Sequence, residues 1–130
     1  MPKIGRNIAG TAMVLAMSFA LFASTIAAAN AAGALAVGSC GAYGYGFDYT
    51  TETAARSAAM RKCSGGNCRI VGMLHRACAA MSVDAKHPCG SFGWAIDSHL
   101  GKAENISMRR CVEYGGHDCV IRAWACDEKG

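Results

Sequence analysis

The chain repeats itself, and the repeat carries every one of its cysteines. CGAYGYGFD around Cys40 is answered by CGSFGWAID around Cys89, with the cysteine, two glycines and the closing aspartate in matched places. Met60-Arg61-Lys62-Cys63 is answered by Met108-Arg109-Arg110-Cys111. Each half then has a glycine pair (Gly65-Gly66, Gly115-Gly116), a third cysteine (Cys68, Cys119) and an Ala-Cys close (Cys78, Cys126). Three blocks in one order, with four cysteines per half, point to one domain built from two related halves, 33–78 and 79–126.

The first 31 residues read as a secretory signal. Lys3 and Arg6 precede an uncharged apolar stretch from Ile8 to Ile26, and Ala29-Asn30-Ala31 fits the small-x-small rule for cleavage after Ala31. The stretch is nearly long enough for a membrane anchor, but its alanine-rich exit and cleavage motif favour removal. Val37-Gly38-Ser39-Cys40 loosely resembles a lipobox; against lipidation, Cys40 has a counterpart in Cys89 and the apolar run ends well before it. Residues 32–130 then form one domain with a modest core. The signal holds two of the 13 basic residues and none of the 9 acidic ones, so the remainder carries a surplus of only two positive charges. That is no argument for a nucleic-acid partner, and no stable membrane insertion is expected once the signal is gone.

All eight cysteines lie in the exported part, where an even number in a short chain reads as a disulfide framework. His75, His87 and His117 each lie within three residues of a cysteine, the raw material of a zinc site. An oxidising compartment and the lack of C-x-x-C pairs argue against it, so neither metal nor cofactor is expected. Cys63 ends a helix and Cys68 starts a strand across Gly65-Gly66, so these two can meet, and Cys111 and Cys119 repeat the relation. Equivalent residues can meet on a two-fold axis, which pairs Cys78 with Cys126 and Cys40 with Cys89. The symmetric alternative is Cys40–Cys78 with Cys89–Cys126.

Ala34 to Val37 reads as a short edge-type strand. Tyr43, Tyr45, Phe47 and Tyr49 alternate with Gly44, Gly46 and Asp48, a strand with one aromatic face and one glycine face open to close backbone approach. Thr50 or Thr51 caps a helix whose packed face, Ala55, Ala58, Ala59, Lys62 and Cys63, is almost all small. Arg69 to Ala77 follows as an apolar strand. In the second half the strands are Ala79 to Val83, Phe92 to Ile96 and Val120 to Ala125. Ser98 is the candidate cap for a helix through Ala103, Ile106, Ser107 and Cys111, and His87-Pro88 reads as the connector between halves. Two strand-strand-helix-strand halves imply an α+β fold: one mostly antiparallel sheet with both helices on one face.

A G-x-G-[YW] strand, an alanine-rich helix ending in cysteine, a Gly-Gly turn with a second cysteine and an apolar strand closing on a third, all repeated, resemble domain of unknown function 4189. The resemblance covers nearly all of 34–126 and implies a small exported bacterial domain. Its six usual cysteines match Cys63, Cys68, Cys78, Cys111, Cys119 and Cys126. Cys40 and Cys89 are additions, which implies an extra bridge joining the halves. The resemblance brings no catalytic residues with it.

Asp48 and Asp97 occupy matching places, and two carboxylates across a pseudo-two-fold axis could share a proton and activate water. The glycine that an aspartic-protease signature needs next is absent from both, and an aspartate before a helix is ordinarily a cap or turn residue. Tyr43, Tyr45, Tyr49 and Trp94 form a possible binding surface, against the plainer reading that the aromatic residues are core. His75 is expected inside a strand, half-buried and hydrogen-bonded. No serine sits in a nucleophile elbow, and paired cysteines leave no free thiol. The leading expectation is therefore a secreted or periplasmic, non-enzymatic module that binds a protein or a cell-envelope component. The rivals are a small secreted hydrolase using Asp48, Asp97 or His75, and a secreted effector.

Overall fold

The computed structural model describes residues 31–127; the expected export signal, Ala31 apart, lies outside the described residues. The elements in chain order are β1 (Ala32–Val37), β2 (Tyr43–Tyr49), α1 (Glu52–Lys62), β3 (Arg69–Leu74), β4 (Cys78–Asp84), β5 (Phe92–Asp97), α2 (Leu100–Glu113) and β6 (Cys119–Cys126). Each half is thus strand-strand-helix-strand. The fold is α+β, and every strand pair is antiparallel.

The expected single sheet is instead two three-stranded sheets, ordered β2-β1-β3 and β5-β4-β6. β1 is central rather than an edge strand, and the reason lies in its residues. Ala32, Ala34 and Ala36 pack on Ala55, Ala59 and Cys63 at the helix face. Leu35 and Val37 point the other way and meet Ala79 and Met81 of the second sheet. A strand apolar on both faces must be covered on both. The sheets therefore stack face to face, with α1 and α2 on the two outer faces rather than together on one. A single sheet with both helices on one side would expose Leu35, Val37, Leu74 and Met81, which are all buried.

The glycine face does what its composition suggests. A methyl group at Gly44 would collide with the Ala59 carbonyl, and one at Gly93 with the Ser107 carbonyl, so each helix backbone lies against the second strand of its own half. Buried Ser82 ties the same layer together by donating to the Ser107 carbonyl at 2.6 Å. Thr51 caps α1, its hydroxyl accepting from the Ala54 N–H at 3.2 Å. At α2 the N-cap is His99, not Ser98, and it makes no side-chain capping bond.

Both third strands carry a bulge at the same place. Leu35 pairs with Gly72 and Ala36 with Ile70, which leaves Val71 over. Met81 pairs with Ala123 and Ser82 with Ile121, which leaves Arg122 over. Val71 and Arg122 each lie three residues after the matched cysteines Cys68 and Cys119. A further irregularity in β2 sets Ala32 against Tyr49 and Ala34 against Gly46. It contains Asp48 in the left-handed region, at φ 59°. One extra residue reverses side-chain parity, so Tyr49 leaves the aromatic row and packs on the helix side of the sheet.

Four disulfides join Cys40 to Cys89, Cys63 to Cys68, Cys78 to Cys126 and Cys111 to Cys119. Because β3 ends at Leu74 and β4 begins at Cys78, the halves meet in the turn 75–77 rather than after Cys78. Cys78 and Cys126 are direct partners across the β4–β6 ladder. Their bond closes the second sheet on itself and does not bridge the halves; Cys40–Cys89 is the cross-link between them. His87-Pro88 lies in the β4–β5 loop, inside the second half, and is not the connector.

Candidate functional site

The second strand of each half lies at a sheet edge and turns its aromatic side chains toward the opposite sheet. Tyr43, Tyr45, Phe92, Trp94 and Ile96 pack partly on the inter-sheet core. Their inner portions are core and their outer portions stay in solvent. Tyr45 stacks between Tyr43 and Phe47, with ring centroids 6.2 and 5.8 Å apart.

A cation from the end of each helix lies over the matched ring. Lys62 Nζ is 5.2 Å from the centroid of Tyr45, and the Arg110 guanidinium is 5.4 Å from that of Trp94. The two cations are equivalent in the repeat, each directly before the helix-end cysteine, and so are the two rings. Arg110 also donates to the Trp94 carbonyl at 2.6 Å, which pins it to the strand edge. As helix-end cations, Lys62 and Arg110 offset the macrodipole; their place over an aromatic ring adds a cation–π contact to that role.

Each ring–cation pair lies in a groove completed by an arginine of the other half. One groove, about 590 Å³, is lined by Tyr43, Tyr45, Lys62 and the Ser39–Ala42 turn, with Arg122 from β6. The other, about 640 Å³, is lined by Phe92, Trp94, Arg110 and Tyr114, with Arg69 from β3. Arg122 is the bulge residue of its strand, and a bulge is a means of re-aiming a side chain. A third cleft, lined by Ser39, Cys40, Arg69, Cys89 and Phe92 among others, connects the two. Sequence reasoning missed Lys62, Arg110, Arg69 and Arg122 as a set. Lys62 and Arg110 do carry a signal, since each directly precedes the matched helix cysteine, Cys63 or Cys111, in its half. Arg69 and Arg122 carry none, because they are not equivalent positions.

The other sequence candidates lie elsewhere. Asp97 ends β5, and its Oδ1 accepts from the His99 N–H at 3.0 Å in the turn before α2. That N–H, aided by Lys102, His99 and Ser98, holds its carboxyl below the usual range against the opposing effect of burial. Asp48 sits in the β2 irregularity while Asp97 pairs regularly with Cys78, so the two occupy unlike backbone settings. His75 lies beyond the end of β3 and not inside a strand; it is exposed, with Nε2 3.2 Å from Glu52 Oε1. Among the described residues no cluster of three or more His, Cys, Asp or Glu could hold a metal ion, and no helix is long and apolar enough to cross a membrane.

Asp84 has a structural role that nothing in the sequence announces. It is buried at the end of β4. Oδ1 accepts from the N–H groups of Lys86 and His87, at 2.9 and 3.0 Å, and Oδ2 from those of His117 and Asp118, at 2.9 and 3.5 Å. The His117 N–H, and then those of His87, Lys86 and Asp118, bring its pKa down to about 2 against the cost of burial.

No curated protein matches the chain. Among solved structures, the NMR structure of Rv1813c from Mycobacterium tuberculosis is similar in fold, with a TM-score of 0.57 at 21% identity, covering 97% of this chain and 100% of that one. The model of the family described as "Domain of unknown function (DUF4189)" matches residues 32–126. That span takes in the six strands and two helices of the described residues and all eight cysteines, and the chain belongs to this family.

Proposed function

We propose that this chain is an exported, non-enzymatic binding domain that works through the paired grooves. The observation that carries the reading is the matched placement of Lys62 over Tyr45 and Arg110 over Trp94. Neither cation belongs to the packed core: Lys62 is exposed and Arg110 is half-buried at the strand edge. Two halves that have drifted to different residue types, Tyr to Trp and Lys to Arg, still build the same arrangement. The four disulfides support an oxidising compartment, and the N-terminal signal motif supports export; the protein recovered from periplasm or medium should begin at Ala32. The hydrolase alternative has weaker support, because the Asp97 carboxylate is engaged by the His99 N–H before α2 and Asp48 occupies an unlike backbone setting. The test uses the Trp94 indole as reporter. Envelope and culture components, fractionated by chemical class, are titrated against the oxidised domain while its fluorescence is followed. A saturable change that Tyr45→Ala and Lys62→Gln weaken supports the reading. Saturable binding that both variants leave intact would place the site elsewhere.

A further inference from the structure

The two grooves differ from ordinary protein surface in their charge. Their linings, and that of the cleft joining them, contain Lys62, Arg69, Arg110 and Arg122 and no aspartate or glutamate. The chain as a whole mixes 13 basic with 9 acidic residues, so a lining with four cations and no carboxylate is a local segregation of charge. The connecting cleft shares Ser39 and Cys40 with one groove and Arg69 and Phe92 with the other. The three form a single path over the exposed Cys40–Cys89 bond.

We propose that this path is one continuous site for an acidic polysaccharide, with Lys62 and Arg122 at one end and Arg69 and Arg110 at the other. The proposal rests on the binding-domain reading above and names its ligand class. Cations held against aromatic rings lose little freedom on meeting an anion, and guanidinium groups match carboxylates in shape. Tyrosine hydroxyls and ring edges beside them suit a ligand rich in hydroxyl groups with apolar C–H faces. An acyl chain fits the path poorly, because polar and glycine residues make up much of the wall around Tyr43 and Tyr45 and two arginines stand in the wall around Phe92 and Trp94. A nucleic acid fits less well, since the chain has no basic run and little net charge outside these clefts. Two matched subsites joined by a cleft favour a polymer over a monomer, since the second contact becomes intramolecular.

Polygalacturonate is the test ligand, set beside neutral dextran, trigalacturonate and single-stranded DNA in one buffer. Calorimetric titration of the oxidised domain should show binding of polygalacturonate that weakens as salt rises, and none of dextran. Trigalacturonate should bind about 100-fold more weakly than the polymer, being too short for both ends. Lys62→Gln and Arg110→Gln should each weaken polymer binding about ten-fold, whereas Lys102→Gln, which lies outside the grooves, should leave it unchanged. Lys62 is exposed, so its variant keeps the test meaningful if Arg110→Gln disturbs α2. No binding of polygalacturonate, or equal binding by the Lys62→Gln and Lys102→Gln variants, overturns the proposal. So does tighter binding of the DNA, which would assign the path to polyphosphate chains. Should the fluorescence test succeed with a component other than an acidic glycan, the binding-domain reading stands and this inference alone fails.

Discussion

Replacing Gly93 by alanine adds one methyl group at the tightest helix–sheet contact of the second half. The new carbon would collide with the Ser107 carbonyl and lie 2.7 Å from the Cys111 nitrogen and 2.8 Å from the Arg110 Cβ. Two of these three neighbours are helix backbone, which cannot swing aside as a side-chain tip can. Relief requires α2 to lift from β5, and overpacking of this kind costs about 1–3 kcal/mol. Lifting α2 also stretches the buried Ser82–Ser107 hydrogen bond, now 2.6 Å long, at a cost of about 1 kcal/mol. Against this, alanine restricts the unfolded chain and returns about 0.4–1 kcal/mol. The net expectation is a loss of about 2–3 kcal/mol, a large share of the ~5–15 kcal/mol of a typical domain. Gly101→Ala is the control. It makes the same chemical change in α2, but nothing lies within 4 Å of the added carbon, so it should stabilise by about 0.5–1 kcal/mol. Guanidinium unfolding of the oxidised proteins, followed by tryptophan fluorescence, measures both. A Gly93→Ala variant within about 0.5 kcal/mol of the parent would falsify the close-packing argument, and destabilisation by Gly101→Ala would count equally against it.

Asp84, with a pKa brought down to about 2 from an ordinary 3.8, should contribute stability above the ordinary carboxylate range and lose it as the pH falls toward 2. Acid unfolding curves should therefore be flatter between those values for Asp84→Asn than for the parent, while identical slopes would contradict the assignment. Removing Cys40–Cys89, which spans 49 residues, should cost about 4 kcal/mol in the chain-entropy model, against about 2 kcal/mol for Cys63–Cys68, which spans 5. Paired cysteine-to-serine variants compared by guanidinium midpoints decide this, and a reversed order would refute it. Mass spectrometry of the unreduced chain should show about 8 Da less than the reduced one, two hydrogens per bond.

Much of the architecture was legible because the repeat could be read twice. Gly44 and Gly93 marked the faces that helices approach, and the alanines at 55, 58 and 59 marked the face that approaches them. The division into two sheets was harder to see. Ala34-Leu35-Ala36-Val37 is apolar throughout, and such a run does not reveal whether a strand is central or at an edge until its coverings are known. The bulges were invisible for a different reason. A single surplus residue, such as Arg122 or the left-handed Asp48, leaves composition and approximate period intact while reversing every side chain beyond it. Tyr49 was therefore assigned to the wrong face. The grooves could not be assembled from sequence because Arg69 and Arg122 reach them from the opposite half, across a sheet interface that local patterning does not encode.

Cys40 and Cys89 are equivalent residues of the two halves, 49 positions apart, and their bond joins the halves at matched places. A chain containing only one half would present Leu35, Val37 and Leu74 as a bare sheet face and Cys40 as an unmatched thiol. Both deficits are self-complementary: the partner that would satisfy them is another copy of the same half. The molecule thus has the geometry of an isologous homodimer written into one chain. Fusion through the turn at 75–77 frees it from the rule that binds true dimers, in which each change must appear twice. One groove can carry lysine and tyrosine while the other carries arginine and tryptophan, so a symmetric scaffold is able to present an asymmetric surface.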